Sequence, residues 1–314
     1  MDSPRSETPL QTFLPGAGDR LSELFERIDP DFALVWSKHM SRLLARTQLD
    51  VRTRFLILTM QYTLTQRFGQ LGENLAAAQR AGVPPEELRE VILQSFVYAG
   101  PWVVAEACQV YEMVFGSIQE TNELPSSPAG EKERRLVDER PTWLAEDASD
   151  PRLNDLLERY GWRAISTGLR LRPSHHLNML DTLDALDPDF LQIWLDAVYE
   201  GMYSRGVLDD RTRLLCVVGA TLAVGETHQS RRHMRAALRV GAGARELLEV
   251  IFHTTAFFGH PYVMPAAFDD LIRIADDEGR ISELVPADRV DETRRIVAAR
   301  VARRDGIEDD LGGA

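Results

Sequence analysis

Cysteine is almost missing from this chain. Its 314 residues hold two, Cys108 and Cys216, with no CxxC spacing. That excludes a disulfide framework and a cysteine-based zinc site, and both thiols read as small apolar core groups. Long apolar runs are missing too: none approaches the roughly 18 residues of a membrane helix. The first residues, MDSPRSETPLQTFLPGAG, lack a basic segment followed by an apolar core, so they do not read as a signal peptide. These absences predict a cytoplasmic protein with no membrane partner. Positive charge is in deficit, 36 Lys and Arg against 49 Asp and Glu, for a net charge of −13. The chain therefore lacks the basic face that displaces counterions from DNA or RNA, and nucleic acid is excluded as a partner. An anionic small substrate would need local arginines to offset this field.

What is present is one helical pattern used twice. Asp29-Pro30-Asp31-Phe32 returns as Asp187-Pro188-Asp189-Phe190, and Trp36 returns as Trp194, at an offset of 158. Leu49-Asp50 with Arg52-Thr53-Arg54 returns as Leu208-Asp209 with Arg211-Thr212-Arg213, at an offset of 159. Ala77-Ala78, Gly82 and Glu90-Val91-Ile92 return as Ala236-Ala237, Gly241 and Glu249-Val250-Ile251. Apolar residues recur every three or four positions between these marks, and Asp-Pro starts and glycine stops punctuate them. The spacing predicts an all-α fold of two tandem helical repeats, packed as a dimer would pack. Residues 1–18 are expected to be a flexible N-terminus and 19–116 the first repeat. Residues 117–150, charged and proline-punctuated, read as a linker. Residues 151–280 would form the second repeat, and 281–314 a C-terminal helix and tail. Trp36 and Trp194 read as repeat-interface core.

The second repeat holds His228, His233, His253 and His260. Glu226 and His233 are seven apart, so they differ by about 20° around a helix and share a face two turns apart. His228 and His233 are about 140° apart and no HExxH appears, so no metal and no cofactor are expected. At the positions of Glu226, His233 and His253 the first repeat carries Arg67, Asn74 and Gln94. This points to one functional half and one degenerate half. The alternative is different chemistry in the first repeat, with Glu73 and Glu106 as candidates.

The stretch GETHQSRRHMRAALRVGAGARELLEVIFHTTAFFGHP, with its Leu208-Asp209-x-x-Thr212-Arg213 lead-in, resembles the carboxymuconolactone decarboxylase family, related to alkylhydroperoxidase-like proteins. The resemblance implies an alkylhydroperoxidase-like helical bundle in each repeat. The peroxidase branch needs two cysteines on the third helix and a glutamate on the preceding one. Those positions here are Glu226, Gln229 and Leu214, and only the histidine, His233, remains, so the chain is not expected to be a thiol peroxidase. The decarboxylase branch implies a cofactor-independent lyase or lactone-processing enzyme acting on a small oxygenated acid or lactone. His233 would donate the proton, with Glu226 as its partner. His253, His260, Tyr262 and Arg232 would bind substrate, Arg232 as a carboxylate clamp. Family members form symmetric rings, which implies a homo-oligomer, a dimer or trimer. The competing expectation is a non-catalytic binding or scaffolding protein of the same fold.

Overall fold

A computed structural model describes residues 9–116, 151–171, 173–259 and 264–311, and every regular element among them is helical. The charged linker at 117–150, together with His260 and Tyr262, lies outside the described residues. In chain order the helices are α1 (Pro9–Phe13), α2 (Ala17–Ile28), α3 (Pro30–Leu44), α4 (Val51–Leu64), α5 (Phe68–Arg80), α6 (Pro85–Gln94) and α7 (Phe96–Phe115). Then come α8 (Pro151–Tyr160), α9 (Trp162–Leu171), α10 (Pro173–Leu186) and α11 (Pro188–Trp194), followed by a π-helical stretch, Leu195–Tyr203. Next come α12 (Asp210–Ala223), α13 (Thr227–Arg239), α14 (Ala244–Phe258) and α15 (Met264–Asp277), then two 3-10 turns, Ile281–Glu283 and Ala287–Arg289, and α16 (Val290–Leu311).

The punctuation marks act as their chemistry requires. Asp29 accepts from the amides of Asp31 and Phe32 at 2.9 and 3.0 Å, and Asp187 accepts from Phe190 at 2.9 Å. Each thus satisfies orphan amide donors at a helix start. Asp50 takes both the amide and the hydroxyl of Thr53, and Asp209 takes both from Thr212. Gly100 leaves the helical region at φ 73°, ψ 178°, so the Gly-Pro pair kinks α7. The π-helical stretch lies where the repeat offset moves from 158 to 159, since an i→i+5 turn absorbs one extra residue.

The chain forms two compact units that cut across the two sequence repeats. One comprises residues up to Val83 together with Leu214 onward; the other is Pro84–Arg213. In the first unit Arg54 on α4 reaches Glu249 on α14 at 3.4 Å, donates to the Leu49 carbonyl at 3.2 Å, and Arg46 joins Glu249 at 2.6 Å. In the second unit Arg213 reaches Glu90 on α6 at 2.6 Å, donates to the Leu208 carbonyl at 3.3 Å, and Arg205 joins Glu90 at 2.8 Å. The same residue types stand 159 positions apart, and each arginine finds its carboxylate on a helix from the other repeat. A charge this deeply buried must be paired, so the exchange decides which helices share a core.

Of the segment 1–18, residues 9–18 are among those described and include α1. Phe13 is buried against Phe55, ring centroids 5.0 Å apart, and α1 packs on α3 and α5 while α2 packs on α3. At the other end Val297 and Val301 of α16 are buried, while Arg294 and Arg300 pair with Asp276 and Asp269 of α15 at 2.6 Å. Among the described residues no single helix is long and apolar enough to cross a membrane.

Candidate functional site

A cavity of about 510 Å³ opens in the first unit against α5. Its walls come from α2 (Leu21, Leu24), α3 (Trp36, Met40) and α14 (Ala256, Phe257), with Tyr62 of α4 among the lining residues. Arg67, Gln70 and Glu73 border it at three-residue spacing, so one face of the start of α5 supplies the polar side. These three are exposed, whereas Met40 and Tyr62 are buried, so the polar groups form the mouth and the apolar groups the floor. Trp36, expected as repeat-interface core, is half-buried and lines the cavity together with Ala256 and Phe257 of the second repeat.

The local chain explains how Arg67 is presented. After α4 the backbone turns through Gln66 at φ +56°, the non-glycine residue in the left-handed region among those described. That conformation costs a side-chain-bearing residue about 1–2 kcal/mol. The corresponding position in the second repeat is Gly225, where φ 79° is free of that penalty. Arg67 then lays its guanidinium over the Phe258 ring at 4.8 Å. Tyr62 packs on the same ring, centroids 5.3 Å apart. Burial pushes the Tyr62 phenol well above its ordinary value, with Glu73 adding to the effect and Arg67 opposing it. The phenol therefore stays protonated, as a donor, across the physiological range. Arg20 of α2 and Glu73 pair at 2.5 Å across the rim.

The residues singled out in the second repeat occupy different surroundings. Glu226 is exposed and caps α13, accepting from the amides of His228 and Gln229 at 3.1 and 3.3 Å. His233 is buried on α13 at 1% exposure, and Arg232 beside it is half-buried. His253 is buried between Phe13 and Phe257, at centroid distances of 6.2 and 4.9 Å, and neither ring nitrogen has a hydrogen-bond partner. Burial drives its pKa down to about 3, and the Arg54 charge acts in the same direction, so it is a neutral imidazole at physiological pH. None of these four lines the cavity, although Phe257 touches both His253 and the cavity. Among the described residues no group of three His, Cys, Asp or Glu side chains is placed to hold a metal. Glu73, the alternative in the first repeat, is at the cavity; Glu106 is an exposed residue of α7. Tyr62 and Arg67 were not singled out from sequence. The available signal was the replacement of Gly225-Glu226 by Gln66-Arg67, which reverses a charge at the helix start.

The carboxymuconolactone decarboxylase family pattern matches residues 188–269. An uncharacterized 15.0 kDa protein in the nqo9-nqo10 intergenic region of Paracoccus denitrificans is 36% identical over 115 residues, 36% of this chain and 72% of that protein. The chain belongs to the carboxymuconolactone decarboxylase family. The stretch matching the carboxymuconolactone decarboxylase pattern carries His233 and His253, whereas of the cavity's lining residues it includes Ala256 and Phe257 alone.

Proposed function

We propose that this family member is a cofactor-independent lyase or lactone-processing enzyme acting on an oxygenated organic acid, and that the acid binds in the cavity on α5. The supporting observation is the meeting of Arg67, which has no ion-pair partner among the described residues, with the protonated, buried Tyr62 at an apolar cavity. In the decarboxylation reading the C–C bond to the substrate's carboxylate breaks and CO2 leaves. The electron pair passes into a dienolate. Arg67 at the mouth and the buried Tyr62 hydroxyl stabilise the developing oxyanion, and a water molecule entering at the mouth then protonates the carbon, leaving hydroxide. A phenol held above its ordinary pKa suits hydrogen-bond donation to that oxygen better than outright proton loss. His233 remains the rival proton donor, acting from α13.

The test is turnover of a panel of lactone acids and unsaturated carboxylic acids, followed by CO2 release and product NMR, with Tyr62→Phe, Arg67→Gln and His233→Asn compared. Loss of turnover in the first two, with retention in His233→Asn, supports the cavity. The opposite pattern returns the donor role to His233. Absence of turnover by the unmodified protein across the panel counts against the enzyme reading.

A second reading, assembly, is favoured by two exposed apolar ridges. Ile28, Phe32 and Val35 form one, and Leu186, Phe190 and Ile193 the other, at positions 158 apart. We propose that the repeats arose by duplication and that these ridges are contacts between copies in a dimer or trimer. Val35→Lys with Ile193→Lys is expected to lower the mass measured by sedimentation; a monomeric unmodified protein at micromolar concentration overturns it.

A further inference from the structure

The charge at the cavity limits what it can hold. Two arginines border it, but Arg20 is neutralised by Glu73 at 2.5 Å. Arg67 lies over Phe258 rather than against a carboxylate. The cavity thus offers one uncompensated positive charge among its described lining residues, and a carboxylate sits on its rim. A ligand with one carboxylate matches this. A dicarboxylate would find Arg20 already occupied by Glu73, and would leave its second charge without a partner or on the apolar floor, where a desolvated charge is strongly disfavoured.

Size and lining limit the rest of the ligand. A volume of about 510 Å³ falls in the roughly 300–1,000 Å³ range of sites that enclose a drug-sized molecule. A six-carbon lactone acid would leave most of it to water. Apolar side chains make up most of the remaining lining, and two of them are aromatic: Trp36, itself held edge-on by Phe25 with centroids 5.2 Å apart, and Phe257. Aromatic walls favour a flat body that can stack or meet them edge-on.

We propose that the cavity selects a bulky aromatic monocarboxylic acid, with its carboxylate on Arg67 and the Tyr62 hydroxyl and its ring system against Trp36, Met40 and Phe257. This deepens, and rests on, the assignment of the cavity as the acid-binding site. Glu73 is the specificity residue, because it occupies Arg20, which would otherwise take a second carboxylate.

The full-length protein is titrated calorimetrically with 2-naphthoate, 2,6-naphthalenedicarboxylate, benzoate, cis,cis-muconate and methyl 2-naphthoate. 2-Naphthoate is expected to bind at least tenfold more tightly than any of the others. Arg67→Gln, with unchanged circular dichroism, is expected to weaken 2-naphthoate at least tenfold. Glu73→Gln frees Arg20 and is expected to raise affinity for the naphthalene diacid at least fivefold. Tighter binding of the diacid or the small acids, still dependent on Arg67, overturns the proposed ligand class and leaves the acid site standing. Binding of all acids insensitive to Arg67→Gln and to the cavity-filling Met40→Trp overturns the site itself, as does no binding.

Discussion

Arg54 and Glu249, 195 residues apart in the chain, meet at 3.4 Å with their side chains 2% and 1% exposed. Arg46 holds the other carboxylate oxygen of Glu249 at 2.6 Å, so one buried anion anchors two cations from the α3–α4 corner onto α14. Removing the carboxylate leaves a buried guanidinium uncompensated. Glu249→Gln is expected to destabilise the protein by about 3–5 kcal/mol in urea denaturation, and Arg54→Met with Glu249→Met to recover part of that loss. A change under 1 kcal/mol in the single variant would mean that the pair does not hold these helices together.

His253 sets an acid limit on stability. Its folded pKa is depressed to about 3 by burial, below the ordinary value of about 6.5. The unfolded chain therefore takes up the proton first. The contribution of neutral His253 is fully present above pH 6.5 and is lost as pH falls from there toward 3, at a slope on the order of 1 kcal/mol per pH unit. His253→Phe is expected to flatten this limb of the stability profile, read by chemical denaturation at successive pH values. An unchanged slope would show that His253 is reached by solvent in the folded protein.

Glu226 tests whether its role is structural. As the N-cap of α13 it satisfies two amide donors from an exposed position. Glu226→Ala is expected to cost about 0.5–2 kcal/mol, visible as a lowered Tm, and Glu226→Asn to retain most of the stability. Both should bind 2-naphthoate normally, since Glu226 does not line the cavity. Weakened binding in both variants with no loss of stability would reverse that assignment.

Gly219 on α12 marks a close approach between helices. A Cβ there would lie 2.6 Å from Ile57 Cγ2 and 3.2 Å from Gln61 Nε2. The same Gln61 nitrogen donates to the Gly219 carbonyl at 3.0 Å and to the Thr254 hydroxyl at 2.7 Å, tying α4 to α12 and α14. Gly219→Ala is expected to destabilise by about 1–3 kcal/mol through overpacking, and pairing it with Ile57→Val to relieve part of this. Wild-type stability in the single variant would show that the helices have room to shift.

Much of the fold is legible in the residues taken in order. The Asp29 and Asp187 caps, the Asp50-Thr53 and Asp209-Thr212 starts and the break at Gly100-Pro101 all lie where local chemistry puts them. Each depends on backbone donors only two or three residues away or on one residue's allowed φ, so spacing alone reveals it. The site was less legible. Arg67 was visible as a substitution, and Glu73 as an alternative, but nothing local distinguishes an arginine at a cavity mouth from a solvated one. Likewise the seven-residue spacing of Glu226 and His233 presumes that both lie within one helix, whereas the helix begins just after Glu226.

The order of residues therefore determined the helices, their ends and the doubled pattern, because turn, cap and period are short-range matters of backbone hydrogen bonding. Tertiary structure alone decided that Arg54 takes its carboxylate from α14 and Arg213 takes its own from α6. It also decided that His253 is shut between two phenylalanines, and that the cavity opens beside Arg67 and Tyr62. Those outcomes depend on which side chains from distant helices exclude water together, and burial of that kind has no short-range signature in the chain.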